Sequence, residues 1–212
     1  MNSLDSLSVV FYLYWVALLL VTLASLILAV LAFRLGKQPF VIASAGALGA
    51  ALLLAAVPVV EAPVAFTVVM TLAGLALAVI GGGPAAVLAL HLATQDSVAP
   101  GSHGGILVGT ETTPGGVAEA GGTDAAAGTA QAAAVHEVLR GGLTIGVLER
   151  LAVAGAILAG FPEALAVVVA IKGVGRFTEL ASSEARERFI IGTFASLIWA
   201  CACVILVNLA QS

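Results

Sequence analysis

Long apolar runs constrain this chain more than any other feature of its sequence. No charged residue occurs between Ser6 and Phe33. Because about 20 apolar residues are enough for a helix to cross a bilayer, this run alone is long enough to span. No Lys or Arg precedes it, whereas a cleavable secretory signal has a basic region before a shorter apolar core. We therefore interpret it as a retained first membrane helix.

The composition of the whole chain also indicates a membrane protein. Of its 212 residues, 61% are hydrophobic and 9% are charged, against about 25% charged residues in soluble domains. So few charges would not cover the surface of a water-soluble fold, and the sequence predicts that lipid replaces water around it. With a net charge of −4, the chain offers no broad basic face for nucleic acid. We predict that the lipid bilayer is its partner and that it does not bind nucleic acid.

Six apolar segments predict an all-α fold, a polytopic membrane helix bundle with about six transmembrane helices. The third segment contains Gly81-Gly82-Gly83-Pro84, where flexible glycines and a proline without an N–H group favour a kink or a break. We favour one kinked helix over a broken pair. The predicted segments are 9–33, 40–60, 64–93, 143–160, 163–180 and 189–209.

The chain divides into three parts. Residues 1–93 are predicted to form an N-terminal three-helix membrane segment, and residues 142–212 a three-helix unit that we call the C-terminal module. Residues 94–141 between them are rich in Gly, Ala and Thr. Because such a composition buries too little apolar surface to offset its ordering entropy, we predict a flexible cytoplasmic linker there. Its Ala-rich end, Ala125–Arg140, is predicted to form a short helix.

The basic residues predict the orientation. With six spans and both termini outside, five Lys and Arg residues fall in inner segments and none falls outside, which agrees with the positive-inside rule. The outer segments then carry only the acids Asp5, Glu61 and Glu163. We predict a multipass protein of the plasma (inner) membrane of a bacterium. The inner basic residues are Arg34, Lys37, Arg140, Arg186 and Arg188.

Charged residues inside the C-terminal module are its most informative feature. Glu149 and Arg150 lie about two turns into the fourth predicted helix, and Lys172 lies about midway along the fifth. Lys172, Arg176 and Glu179 are spaced i, i+4, i+7, which places them on one helical face. A charge at mid-bilayer costs at least about 2.5 kcal/mol, so it normally finds a partner or a polar cavity.

Two interpretations of this charge cluster remain open. In the first, Glu149 pairs with Lys172 or Arg176 and the network locks three helices together. In the second, the same residues line a binding or conduction site for an ion, a proton or an anion, including anionic lipid headgroups. The long side chains of Arg150 and Arg176 are also able to reach inner headgroups by snorkelling. A predicted inner loop, 181–188, adds four charges: Glu184, Arg186, Glu187 and Arg188.

Three sequence blocks of the C-terminal module resemble a known family. They are GLTIGVLER at Gly142–Arg150, AIKGVGRFTEL at Ala170–Leu180 and ERFIIGT at Glu187–Thr193. Their spaced glycines and charges are similar to the C-terminal membrane module of an uncharacterised bacterial inner-membrane family, a domain of unknown function. The resemblance implies a bacterial inner-membrane location and no particular activity.

The sequence contains no motif that predicts catalysis, a metal site or a cofactor. His136-Glu137-Val138-Leu139-Arg140 begins like a zinc helix, but Arg140 stands where the second His is required. Cys201 and Cys203, inside an apolar run, are expected to be packing residues. We therefore predict a non-enzymatic structural or accessory component of a membrane assembly. The alternative is a small ion, proton or anionic-solute channel or transporter that uses Glu149, Lys172 and Arg176.

Small residues predict where helices approach closely. Gly46/Ala50 and Gly155/Ala159 are spaced i, i+4, the spacing that lets helix backbones approach in lipid. We expect a compact bundle, and we leave open a homo-oligomer or another membrane protein as partner.

Overall fold

The computed structural model of the chain contains six helices and one pair of two-residue strands in the residues that it describes. These are residues 3–57, 62–94, 106–107, 137–138, 142–175 and 183–211. The helices are α1 (Ser3–Leu35), α2 (Gln38–Ala55), α3 (Val64–Thr94), α4 (Gly142–Leu158), α5 (Ala164–Gly175) and α6 (Ser183–Leu209). The strands β1 (Ile106–Leu107) and β2 (Glu137–Val138) pair antiparallel.

Four of the helices are long and apolar enough to cross a membrane, namely α1, α2, α3 and α6. Their surfaces carry large apolar side chains that face outward, such as Leu53 at 77% and Val64 at 80% exposure, as lipid-facing residues do. The predicted helical fold is therefore confirmed, and the four apolar helices support a membrane protein. Helix α4 has 17 residues and α5 has 12, so α5 is about 18 Å long at 1.5 Å per residue. Six spans, and the side on which each terminus lies, stay predictions.

Glycine and proline set several helix boundaries. Gly36, with φ of 63°, follows the end of α1, and Gly160, with φ of 86°, follows the end of α4. Both adopt the left-handed conformation that glycine takes readily. Pro39 lies in the first turn of α2, where its missing N–H group has no helical partner to lose. The short connection that contains Gly160 leads into α5, which contacts α4.

Helix α3 runs continuously from Val64 to Thr94 with Pro84 inside it. The prediction of one helix over a broken pair is therefore confirmed. Proline has no N–H group, so the carbonyl of Ile80, four residues earlier, lacks its usual helical donor. In lipid, neighbouring side chains must help to satisfy a backbone interrupted in this way.

The bundle is organised around α3 and α6, which share its largest interface. Helix α1 packs against α2 and α3, and α4 packs against α3 and α6. The interior contains fully buried side chains from every helix except α5, including Leu18, Met70 and Leu206. Helix α5 lies at the edge, where it contacts α4 and has no buried residue.

One end of the bundle, which we call the basic end, collects most of the described cations. It contains the end of α1, the start of α2, the end of α3 and the starts of α4 and α6, because residues from all five segments line one cavity there. Arg34 and Lys37 lie at the α1–α2 connection, and Arg186 and Arg188 lie near the start of α6.

Two sequence predictions need correction. The inner loop predicted at 181–188 is wrong from residue 183 onward, since α6 already begins at Ser183. Its Glu, Ala and Arg residues are good helix formers, and Glu184 in the first turn opposes the helix dipole favourably. Of the short helix predicted at Ala125–Arg140, the structure describes only Glu137–Val138, which form a strand. The remainder of that helix, and most of the predicted linker at 94–141, lie outside the described residues.

Candidate functional site

Arg150 is the most deeply buried charge in the described part of the chain. It is 5% exposed and projects from α4 between α3 and α6. Its Nε donates a hydrogen bond to the Val79 carbonyl oxygen at 2.8 Å, and its Nη1 donates to Ser196 Oγ at 2.9 Å. Two acceptors inside the bundle thus hold Arg150 there, and its side chain does not use its length to snorkel.

Trp199 makes a second bond of the same kind. Its indole Nε1 donates to the Leu77 carbonyl oxygen at 3.0 Å from a site that is 7% exposed. Leu77 and Val79 both precede Ile80, the residue whose carbonyl loses its helical donor at Pro84. Side chains of α4 and α6 thus reach the backbone of α3 close to its proline.

Two glycines of α3 make room for these side chains. A Cβ added at Gly81 would lie 2.5–2.6 Å from the Trp199 ring, and a Cβ added at Gly82 would overlap Cδ of Arg150. Only glycine therefore fits at these positions without displacing a buried neighbour. We call Gly81, Gly82, Arg150, Ser196 and Trp199 the glycine seat.

Glu149 and Lys172 form an ion pair between α4 and α5. The side chains are partly buried, at 12% and 17% exposure, and Lys172 Nζ also lies 5.5 Å from the centre of the Phe189 ring on α6. Lys172 is one of the two partners that the sequence predicted for Glu149. Arg176 and Glu179, which were assigned to the same cluster, lie outside the described residues.

The predicted charge cluster is therefore divided in the structure. Consecutive helical residues project about 100° apart, so Glu149 turns towards α5 while Arg150 turns towards α3 and α6. One set of bonds joins α4 to its neighbour at the edge of the bundle. The other set joins α4 to the bundle interior.

A cavity of about 400 Å³ opens next to both sets at the basic end. Arg150, Lys172 and Arg188 line it together, and Thr193 and Ser196 of α6 add hydroxyl groups. Most of its remaining lining is apolar. Of the other charges assigned to the predicted inner loop, Glu184, Arg186 and Glu187 are exposed and do not line it.

The described residues contain no group of three or more His, Cys, Asp and Glu side chains that is able to hold a metal ion. Cys201 and Cys203 are both free thiols. Cys203 is fully buried and packs in the core of the bundle with Trp199 and Val204.

Of the five residues of the glycine seat, sequence reasoning assigned only Arg150 to a site. Ser196 drew no attention, because a lone serine in an apolar helix carries no signal of its partner. Trp199 was not assigned to a site either, and the glycines before Pro84 were interpreted only as a kink or a break. Their spacing relative to the proline was visible, but the side chains that fill the space come from residues 68 or more positions away.

Comparison of the chain with protein families, curated protein sequences and solved structures finds no match. The resemblance of the C-terminal module to a bacterial inner-membrane family therefore stays a prediction.

Proposed function

We propose that this protein is a non-catalytic, multipass component of a membrane assembly in a bacterial inner membrane, and that its intramembrane charges hold its own helices together. The observation that carries the proposal is that Glu149, Arg150 and Lys172 all make contacts between helices. Each bonds to a group on another helix. Charges committed to helix contacts in this way are poorly suited to passing an ion along a pathway, because each transfer would break a helix contact.

The outer surface supports the same proposal. Helix α5 has no buried residue and packs mainly on α4. Its apolar side chains, such as Ile171 at 68% and Val174 at 79% exposure, face away from the bundle. An accessory protein needs a lipid-facing surface of this kind on which a membrane partner is able to pack.

The test combines flux and stability in wild type and Lys172→Met. Purified protein in liposomes should conduct neither protons nor chloride under an imposed gradient. Lys172→Met leaves the partly buried Glu149 carboxylate unpaired and should lower the free energy of unfolding by about 2 kcal/mol. Lys37→Met, which removes an exposed cation from the same end of the bundle, is the matched control and should leave unfolding unchanged.

A second candidate function, anion transport, is supported by a different observation. Three cations line one cavity, which is a feature expected of a channel or transporter for anions. Chloride flux from the wild-type protein that disappears in a folded Lys172→Met variant would establish this function and overturn the accessory one.

A further inference from the structure

The cavity at the basic end has a surplus of positive charge. Arg150, Lys172 and Arg188 line it, and Glu149 neutralises Lys172 from outside the lining. No carboxylate side chain lines the cavity in the described part of the chain. Arg150 donates hydrogen bonds to a carbonyl oxygen and a hydroxyl oxygen, which are neutral acceptors. Buried cations in lipid are stabilised by a counter-charge, so this cavity is suited to an anion.

The cations are arranged in depth. Arg188 lies near the start of α6, and Ser196, which bonds Arg150, lies eight residues further along that helix. At 1.5 Å per residue this separation is about 12 Å. Helix α6 has 27 residues and is about 40 Å long, which exceeds the roughly 30 Å hydrocarbon core. Arg188 therefore lies about 12 Å nearer the start of α6 than Ser196, the partner of Arg150.

The walls of the cavity are apolar and reach the lipid-facing surface. Four large lining side chains are 40–50% exposed, so the apolar wall of the cavity continues onto the outer surface of the bundle. A site for a small inorganic anion has no need of such a wall. An anionic lipid matches both parts of the cavity, because its headgroup suits the cations and its acyl chain suits the apolar wall. The four side chains are Phe33, Val87, Leu143 and Ile145.

We infer that this cavity binds an anionic phospholipid. The phosphate lies beside Arg188 and Lys172, and the part of an acyl chain nearest the headgroup lies against the apolar wall. The ligand is identified by the positive charge of the cavity and by the apolar wall that continues onto the outer surface. The inference does not depend on the accessory function, since lipid binding and ion flux are measured separately. A lipid held here would join α1, α3 and α4, whose side chains form the wall, to α5 and α6, which carry Lys172 and Arg188.

Native mass spectrometry and lipid-dependent thermal stability test the inference. Full-length protein in neutral detergent is titrated with phosphatidylglycerol, with phosphatidylcholine and with glycerol 3-phosphate. We expect tighter binding and greater stabilisation by phosphatidylglycerol than by phosphatidylcholine, and no competition from glycerol 3-phosphate. Competition by the soluble phosphate at comparable concentration would show a site for free phosphate esters and overturn the lipid assignment.

Two pairs of variants locate the site. Arg188→Gln should weaken phosphatidylglycerol binding about fivefold, the effect of one basic residue near an anionic headgroup. Arg186→Gln, two residues away on the same helix and outside the lining, should change it less than about twofold. Val87→Trp should obstruct the apolar wall, whereas Val69→Trp, on the same helix at similar exposure and outside the lining, should not.

The outcomes are decisive because folding is measured in the same assay. If Arg188→Gln and Arg186→Gln weaken binding equally, the attraction is general surface electrostatics and the cavity is not the site. If both tryptophan variants bind like wild type while remaining folded, the apolar wall does not contact the acyl chain. Either result overturns the inference.

Discussion

Two interfaces in this bundle place polar side chains in an apolar interior, and they do so in different ways. Between α1 and α2, Ser25 Oγ donates to the Ser44 carbonyl oxygen at 2.9 Å, and Ser44 Oγ donates to the Ser25 carbonyl oxygen at 2.8 Å. Both side chains are small, neutral and fully buried. Among α3, α4 and α6, the glycine seat instead receives a guanidinium and an indole.

The difference shows that the size of a buried polar side chain determines whether the facing helix needs glycine. A serine hydroxyl reaches a neighbouring helix without a glycine opposite it. Gly46 and Gly49 of α2 do not serve this contact, because no described atom lies within 4 Å of a Cβ built at either position. Arg and Trp are long and wide, and they fit only where the facing backbone has no side chains. The seat therefore depends on residues from three helices at once, whereas the serine contact depends on two.

The largest expected effect is that of Arg150→Met, which keeps the apolar stem and removes the donors. Two hydrogen bonds from a charged group to α3 and α6 would be lost, and we expect a loss of about 3 kcal/mol in the free energy of unfolding. Arg150→Lys should recover little, because an ammonium group does not reproduce the planar fork. Thermal or denaturant unfolding in detergent measures both.

Arg34→Met is the control for Arg150→Met. Arg34 is exposed at the end of α1, so its replacement should leave unfolding nearly unchanged. Equal unfolding midpoints for Arg150→Met and wild type would mean that the glycine seat does not stabilise the fold.

Gly81→Ala should have the next largest effect. The new methyl group would meet the buried Trp199 ring at 2.5–2.6 Å, and overpacking of this kind costs about 2 kcal/mol. Gly46→Ala makes the same chemical change where nothing lies within 4 Å, and it should be neutral or gain up to about 1 kcal/mol of helix propensity. A comparison of the two unfolding midpoints separates the cost of overpacking from the gain in helix propensity. Similar midpoints would contradict the claim that Gly81 must be glycine to accommodate Trp199.

The same comparison shows what the sequence was able to predict. Helices and their approximate bounds follow from hydropathy, because lipid permits few other ways to satisfy the backbone. The first predicted segment, 9–33, lies within α1, and the third, 64–93, ends one residue before α3 does. Charged residues within apolar helices are also easy to recognise, because a charge inside a bilayer is costly. Glu149, Arg150 and Lys172 were assigned to a site for this reason.

Partners were harder to predict than positions. The acceptor for Arg150 Nε is a main-chain carbonyl on Val79, 71 positions away, and every residue has such a carbonyl. The small-residue rule selected Gly46/Ala50 and Gly155/Ala159, but no atom lies within 4 Å of a Cβ built at Gly46 or Gly155. That prediction is wrong for contacts within the chain. The glycines that do permit close approach are those facing large side chains, and the three-dimensional fold alone brings them together.

The smallest expected effect tests the serine contact. Ser44→Ala removes one of its two interhelical donors, and interhelical hydrogen bonds in membrane proteins contribute about 0.6 kcal/mol on average. The Ser25→Ala/Ser44→Ala double variant measures their coupling, which should be positive because the hydroxyl oxygens are 3.2 Å apart. Thr67→Ala removes a hydroxyl that bonds only within α3 and is the control. If Ser44→Ala destabilises as much as Arg150→Met does, neutral and charged contacts hold this bundle equally, and the proposed distinction between the two interfaces is wrong.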